Sequence, residues 1–144
     1  PDGGALIGLD LGTKTIGIAV CDAGWRFASA LKTLPRGKFG RDRDELRKLI
    51  EARSIRGIVI GLPRNMDGSE GPRAQASRAY ARNLAEAFEL PVLLWDERWS
   101  TKSAEDAMIG LDVSRRKRAE RIDAEAAAVI LQAAIDAATG SPLL

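Results

Sequence analysis

Three observations predict an α/β fold with a mixed sheet covered by helices on both faces. Three short apolar or β-branched runs follow one another at the start of the chain. Helical periods and short apolar runs then alternate to the end. One of those later runs, Gly57–Leu62 (GIVIGL), is apolar without interruption and bounded by Gly and Pro, as a buried parallel strand is. A meander followed by βα alternation gives the order β-β-β-α-β-α-β-α-α and a mixed five-stranded sheet.

The elements follow in order. Ala5–Leu11 (ALIGLDL) and Thr15–Cys21 (TIGIAVC) read as two strands, with Gly12-Thr13-Lys14 as the tight turn of a hairpin. A third strand is expected between Trp25 and Leu34, ended by Pro35. Arg41–Arg53 places Leu46, Leu49 and Ile50 on one face, a helical period. Pro63–Gly71 (PRNMDGSEG) is rich in turn formers. Pro72 suits the first position of a helix running to about Phe88. Pro91–Trp95 (PVLLW) is a further short strand, followed at once by Asp96-Glu97-Arg98. Ser100 or Thr101 can cap a helix through Met108. Gly110–Glu120 is expected as a basic loop, and Arg121–Ala138 as an Ala-rich helix stopped by Gly140 and Pro142. No repeat or linker divides residues 1–144, which read as one domain.

Composition narrows the chemistry. The 144 residues contain no His and one Cys, with 22 Lys+Arg against 20 Asp+Glu. Without His there is no Ser-His or Cys-His nucleophile pair and no imidazole base. With Cys21 alone there is no disulfide framework, thiolate zinc site or iron–sulfur cluster. Catalysis is left to carboxylates, Lys, hydroxyls and backbone, which points to a hard cation such as Mg²⁺ or Mn²⁺. A lone Cys suits a reducing cytoplasm. The apolar stretch from Ala5 to Val20 is broken by Asp10 and Lys14, too soon for a membrane span, and no signal-peptide pattern is read.

Three acids stand in unusual places. Asp10 interrupts the apolar strand Ile7–Leu11, where a carboxylate is costly unless paired, hydrogen-bonded or metal-bound; ending the strand and capping the turn is the plainer account. Asp96 and Glu97 follow the last strand, where α/β sheets gather their ligands, and alternation lets only one of the two face a site. Asp123 is expected in the first turn of the last helix, where the helix dipole alone would explain it. Glu125 lies about 200° further round that helix and should not share its direction. Each acid has a bland explanation. Together they mark three points that this architecture can bring to one sheet edge, where divalent cations would relieve the repulsion of a phosphodiester-cleaving site.

Leu9-Asp10-Leu11-Gly12-Thr13-Lys14-Thr15-Ile16-Gly17-Ile18-Ala19-Val20, then Gly61-Leu62-Pro63 with Asn65-Met66-Asp67-Gly68, then Asp96-Glu97-Arg98-Trp99-Ser100-Thr101, then Ile122-Asp123-Ala124, resemble the YqgF/RuvX family. The match covers nearly the whole chain. The resemblance implies an RNase H-like fold with the first strand central, similar to RuvC-type Holliday-junction resolvases. It implies a metal-dependent nuclease, which in bacterial members is assigned to precursor 16S rRNA. Asp10, Glu97 and Asp123 match the family's catalytic acids and would hold two Mg²⁺ or Mn²⁺ ions. Glu125 departs from the small or apolar residue expected there.

Substrate contacts are sought among the cations. Arg115-Arg116-Lys117-Arg118 is a solid basic run leading towards Asp123, and basic loops beside a carboxylate site would hold phosphate backbone. Arg64 and Arg73 flank Gly61–Arg73, either a phosphate cradle or a plain strand-to-helix connection. Lys14 lies near Asp10 in sequence and could steady a phosphate, as could Arg98 unless it pairs with Glu97. Trp95 reads as core, and Trp99 could stack on a base. The expected partner is nucleic acid: precursor 16S rRNA first, four-way DNA as the alternative, with the protein a monomer or homodimer. A non-catalytic nucleic-acid-binding factor is the third reading. Gly8–Thr13 also resembles the first phosphate loop of actin-like ATPases and sugar kinases, which need two lobes where this chain supplies one.

Overall fold

The computed structural model describes residues 4–65, 67–96 and 115–139, with side chains of the last stretch described for 123–138. Five strands and three helices occupy them: β1 (Ala5–Leu11), β2 (Thr15–Cys21), β3 (Ala28–Pro35), α1 (Phe39–Arg53), β4 (Ile55–Leu62), α2 (Pro72–Phe88), β5 (Val92–Asp96) and α3 (Arg115–Thr139). The strands form one mixed sheet in the order β3-β2-β1-β4-β5. β1 is central, antiparallel to β2 and parallel to β4, and β5 lies parallel to β4 at the edge.

Local chemistry explains the elements. The Gly12 N–H donates to the Thr15 carbonyl at 2.8 Å and closes the β1–β2 hairpin. The apolar runs of β1, β2 and β4 are buried on both faces, whereas β3 at the edge mixes half-buried and exposed positions. Pro72 opens α2 behind Gly71, since its missing N–H costs nothing in the first turn.

Most boundaries lie within two residues of expectation: α1 and β4 start two residues early, and β5 runs one residue late. The main correction is α3. It starts at Arg115, not Arg121, so Arg115–Glu120 is helical and not loop. Arg, Lys, Ala and Glu are all strong helix formers, and that propensity outweighs the loop character suggested by their charge. The helix expected from Ser100 or Thr101 to Met108 lies outside the described residues.

Side-chain alternation sorts the core into two layers. Ile7, Leu9, Ile16, Ile18, Ile58 and Ile60 pack with Leu46 of α1 and Tyr80 and Leu84 of α2. On the opposite face Leu6, Ala19, Cys21 and Val59 pack against Ala127, Ile130, Leu131 and Ile135 of α3. Gln132 fastens α3 to the β3 edge: its Oε1 accepts the Ala28 N–H at 2.8 Å and its Nε2 donates to the Arg26 carbonyl at 3.1 Å. No helix among the described residues is long and apolar enough to cross a membrane.

Candidate active site

Asp10 shares the α3 face of β1 with Leu6 and Gly8, because strand residues two apart point the same way. Its cross-strand partner is Gly17. At that point α3 lies directly against the sheet. A Cβ on Gly17 would fall far inside contact distance of the Asp123 carbonyl, and one on Gly8 would lie 2.8 Å from the Leu131 Cβ. Glycine is required at Gly17 for space, since the helix backbone occupies the volume a side chain would need.

That approach places the second acid. The Asp123 Oδ2 accepts a hydrogen bond from the Thr15 hydroxyl at 2.7 Å. Thr15 is two residues from Gly17 on β2, which makes it the diagonal neighbour of Asp10, at a separation of roughly 7–8 Å between such positions in a sheet. Asp10 and Asp123 therefore converge on one face, at the carboxyl end of the central strand. Both are half-buried. The dipole explanation for Asp123 does not hold: the residue sits eight positions after the helix start, more than two turns in, and the dipole acts within the first turn. Glu125 is exposed while Ala124 and Ala126 are buried, so it points away from the sheet.

The remaining candidates divide. Asp96 pairs with Leu62 in register and its carboxylate lies 3.9 Å from Arg64, on the α2 side. It does not share the face of Asp10. Trp95 points the other way and packs partly buried against the α3 core. Arg64 is engaged by acids, with Glu70 at 3.5 Å as well as Asp96. Glu70 in turn takes a two-pronged hydrogen bond from Arg78, 2.6 Å on each oxygen, and this holds its carboxyl below the usual range. The loop is also closed on itself: the Asn65 N–H donates to the Ser69 carbonyl at 2.9 Å, and Asp67 accepts from both the Ser69 N–H and hydroxyl. Lys14 is exposed in the β1–β2 turn. Arg73 donates to the Leu11 carbonyl at 3.2 Å, on the α2 side of that turn. Glu97 and Arg98 lie outside the described residues, as does Trp99. Arg115, Arg116, Lys117 and Arg118 form the opening turn of α3, about 12 Å of helix before Asp123.

Two contributors escaped the sequence reasoning. Thr15, whose spacing from Gly17 put it on the α3 face, orients Asp123. Arg36, directly after β3, donates to the Gly12 carbonyl at 2.6 Å and lies over the Tyr80 ring. Nothing local marks it, because both contacts are long-range.

Among the described residues no group of three or more potential ligands forms a metal cluster. The donor chemistry of Asp10 and Asp123 nevertheless suits a divalent cation: carboxylate oxygens on one face, one of them already oriented by a hydroxyl.

A central strand flanked antiparallel on one side and parallel on the other, with α3 laid across one face, defines the RNase H-like fold. The comparisons agree. Thermus thermophilus RuvC has the same fold, with a TM-score of 0.59 at 15% identity over 95% of this chain and 97% of that one. RuvC from T. thermophilus in complex with Holliday junction substrate matches with a TM-score of 0.57 at 16% identity, over 96% and 97%. The chain belongs to the RuvX family, described as Holliday junction resolvase, whose model matches residues 4–137. A relative from Sphingopyxis alaskensis is 63% identical over 96% of this chain and 91% of its own length, and one from Novosphingobium aromaticivorans is 63% identical over 97% and 90%. Both bear the name "Putative pre-16S rRNA nuclease". The activity is thus hydrolysis by a nuclease, with nucleic acid as substrate.

Proposed function

We propose that the chain hydrolyses phosphodiester bonds of RNA and matures the 5′ side of precursor 16S rRNA, as a single domain over residues 1–144 in the cytoplasm. The observation that carries this reading is the convergence of Asp10 and Asp123 on one face through Gly17 and Thr15. The names of the relatives supply the RNA.

Asp10, Asp123 and Glu97 would hold two Mg²⁺ or Mn²⁺ ions. Such ions lower the pKa of bound water and neutralise charge on the leaving oxygen. The protein's own part is to fix the carboxylates. β1 holds Asp10 in the sheet, while Thr15 holds one oxygen of Asp123 and leaves the other available. Lys14 and the cations at the start of α3 would attract the phosphate backbone. No protein base is required, which suits a chain without His.

The test is cleavage of precursor 16S rRNA carrying its 5′ leader, with Mg²⁺ or Mn²⁺, comparing wild type with Asp10→Asn. Processing by wild type and none by the variant is expected. Equal rates would overturn the mechanism. The family's description supports a second reading, resolution of four-way DNA, for which a symmetric homodimer is needed to cut two strands. Paired incisions in a four-way junction by a dimeric species, with precursor RNA left intact, would favour it.

A further inference from the structure

We propose that Arg36 and Arg73 form a phosphate-binding subsite on the α2 side of the β1–β2 turn. It takes a phosphate of the bound polynucleotide other than the one being cut, and so rests on the nuclease reading above. The two guanidinium groups grip consecutive carbonyls. Arg73 Nη2 donates to Leu11 at 3.2 Å and Arg36 Nη1 to Gly12 at 2.6 Å. These are the two residues directly after Asp10. Arg36 is held further by the Tyr80 ring, 5.3 Å from its guanidinium carbon.

Each side chain is tied at its carbonyl, Arg36 from a half-buried and Arg73 from an exposed position, and both are far from saturated. A guanidinium has five N–H donors, and each of these uses one on its carbonyl. Arg43, Arg64 and Arg78 each face a carboxylate. Among the described residues Arg36 and Arg73 are in no ion pair; the Asp42 carboxylate, which shares the Tyr80 side chain with Arg36, is taken up by the Gly37 N–H and the Tyr80 hydroxyl. They line a cavity of about 320 Å³ together with Gly12, Thr13, Ala76 and Ser77. Two oriented guanidinium forks at one cavity match the geometry of a phosphate group, and their anchoring lowers the ordering cost of binding.

The cavity is distinct from the carboxylate site. Its walls come from α2 and the Leu11 side of β1, whereas Asp10 and Asp123 lie on the α3 face. A strand cut at Asp10 would reach the cavity by crossing the exposed turn at Thr13 and Lys14. The phosphate could be an internal diester or a 5′-terminal monoester, and the chemistry of recognition is shared.

The experiment measures binding of a short single-stranded RNA to the full chain in EDTA, by fluorescence anisotropy across a salt series. The RNA carries either a 5′-phosphate or a 5′-hydroxyl. Variants are Arg36→Gln, Arg73→Gln and Ala76→Glu. The last puts a carboxylate into the cavity from an exposed helical position, where it pairs with the guanidinium groups, so its melting temperature should hold or rise slightly. Each variant is expected to bind about tenfold more weakly, and the slope of log K against log salt should fall by about 0.7–1. If the ligand is a terminal monoester, wild type prefers the 5′-phosphorylated RNA and Ala76→Glu erases the preference. If it is a diester, both RNAs weaken alike. Wild-type affinity and slope in both Arg73→Gln and Ala76→Glu would overturn the subsite, as would a wild type that binds neither RNA. Loss of binding in Ala76→Glu without any cleavage by wild type would sink the nuclease reading alone. Cleavage with binding indifferent to Ala76→Glu would sink the subsite alone.

Discussion

The two faces of the sheet are built from opposite materials. Towards α1 and α2 the strands present Ile7, Leu9, Ile16, Ile18 and Ile60, and the layers are held apart by branched side chains. Towards α3 they present Gly8, Gly17 and Ala19 alongside Leu6 and Val59, and at Gly17 the sheet meets the Asp123 backbone with no side chain between them. The first arrangement gains stability from buried volume. The second gives up volume to bring a helix close enough for its acid to bond β2 beside the acid of β1. The large-residue face can also bury a carboxylate, but only one that is consumed by local partners. Asp42 is 3% exposed and accepts from the Gly37 N–H at 3.0 Å and the Tyr80 hydroxyl at 3.4 Å. Closeness is thus what brings the two acids of the α3 face together, as the proposed chemistry requires, and small residues are what it depends on.

The comparison can be broken at its centre. Asp10→Asn should lower cleavage by at least about two orders of magnitude, the scale seen when one charge-stabilising group leaves an active site. Its melting temperature should hold or rise, because a like charge has been removed from beside Asp123. Initial rates and thermal melts check both parts; a variant that keeps its rate would detach the α3 face from the chemistry. Next is packing. Gly17→Ala adds one carbon against the Asp123 backbone and should cost about 3 kcal/mol or more, since backbone cannot move aside as a side chain can. Ile18→Val, one residue away on the other face, removes one carbon and should cost about 0.5–1.5 kcal/mol. Urea unfolding of the pair decides it, and a milder Gly17→Ala would mean that α3 does not pack as tightly as its glycines imply.

Much of this was legible beforehand because it is local. The hairpin, β4 and α2 are marked by turn residues, an uninterrupted apolar run and Pro72. Asp10 stood out because a charge in an apolar strand is conspicuous. What was illegible depends on distant parts of the chain. Gly17 looks like any glycine in a strand until α3 is laid on it. Arg36 resembles a solvated cation until Gly12 and Tyr80 surround it. Asp123 reads as a first-turn acid only if the basic segment before it is loop, and the residues of that segment favour helix.

Thr15 sharpens the comparison at a smaller scale. Among the described residues it is the Thr15 hydroxyl that holds the Asp123 carboxylate, at 2.7 Å. Thr15→Val keeps the shape and removes the donor, so stability should fall by about 1 kcal/mol and the cleavage rate by about tenfold. Thr15→Ser should restore most of the rate. An unchanged rate in Thr15→Val would show that the helix backbone alone sets the acid.

The smallest effect tests the opposite face. Burial pushes the Tyr80 phenol well above its ordinary value, the charge of Asp42 adds to this, and Arg36 opposes it. The folded protein therefore keeps a proton that the unfolded chain releases near pH 10. The contribution to stability is complete below that pH and is lost as pH rises through and beyond it. The chain has a single tyrosine, so its ultraviolet difference absorbance reports this group alone. No ionisation step is expected near pH 10 while the circular dichroism remains native. Asp42→Asn should bring the step down, and Arg36→Gln should move it further up. A native protein whose tyrosine ionises at the ordinary pH would show that this face admits water despite its large side chains.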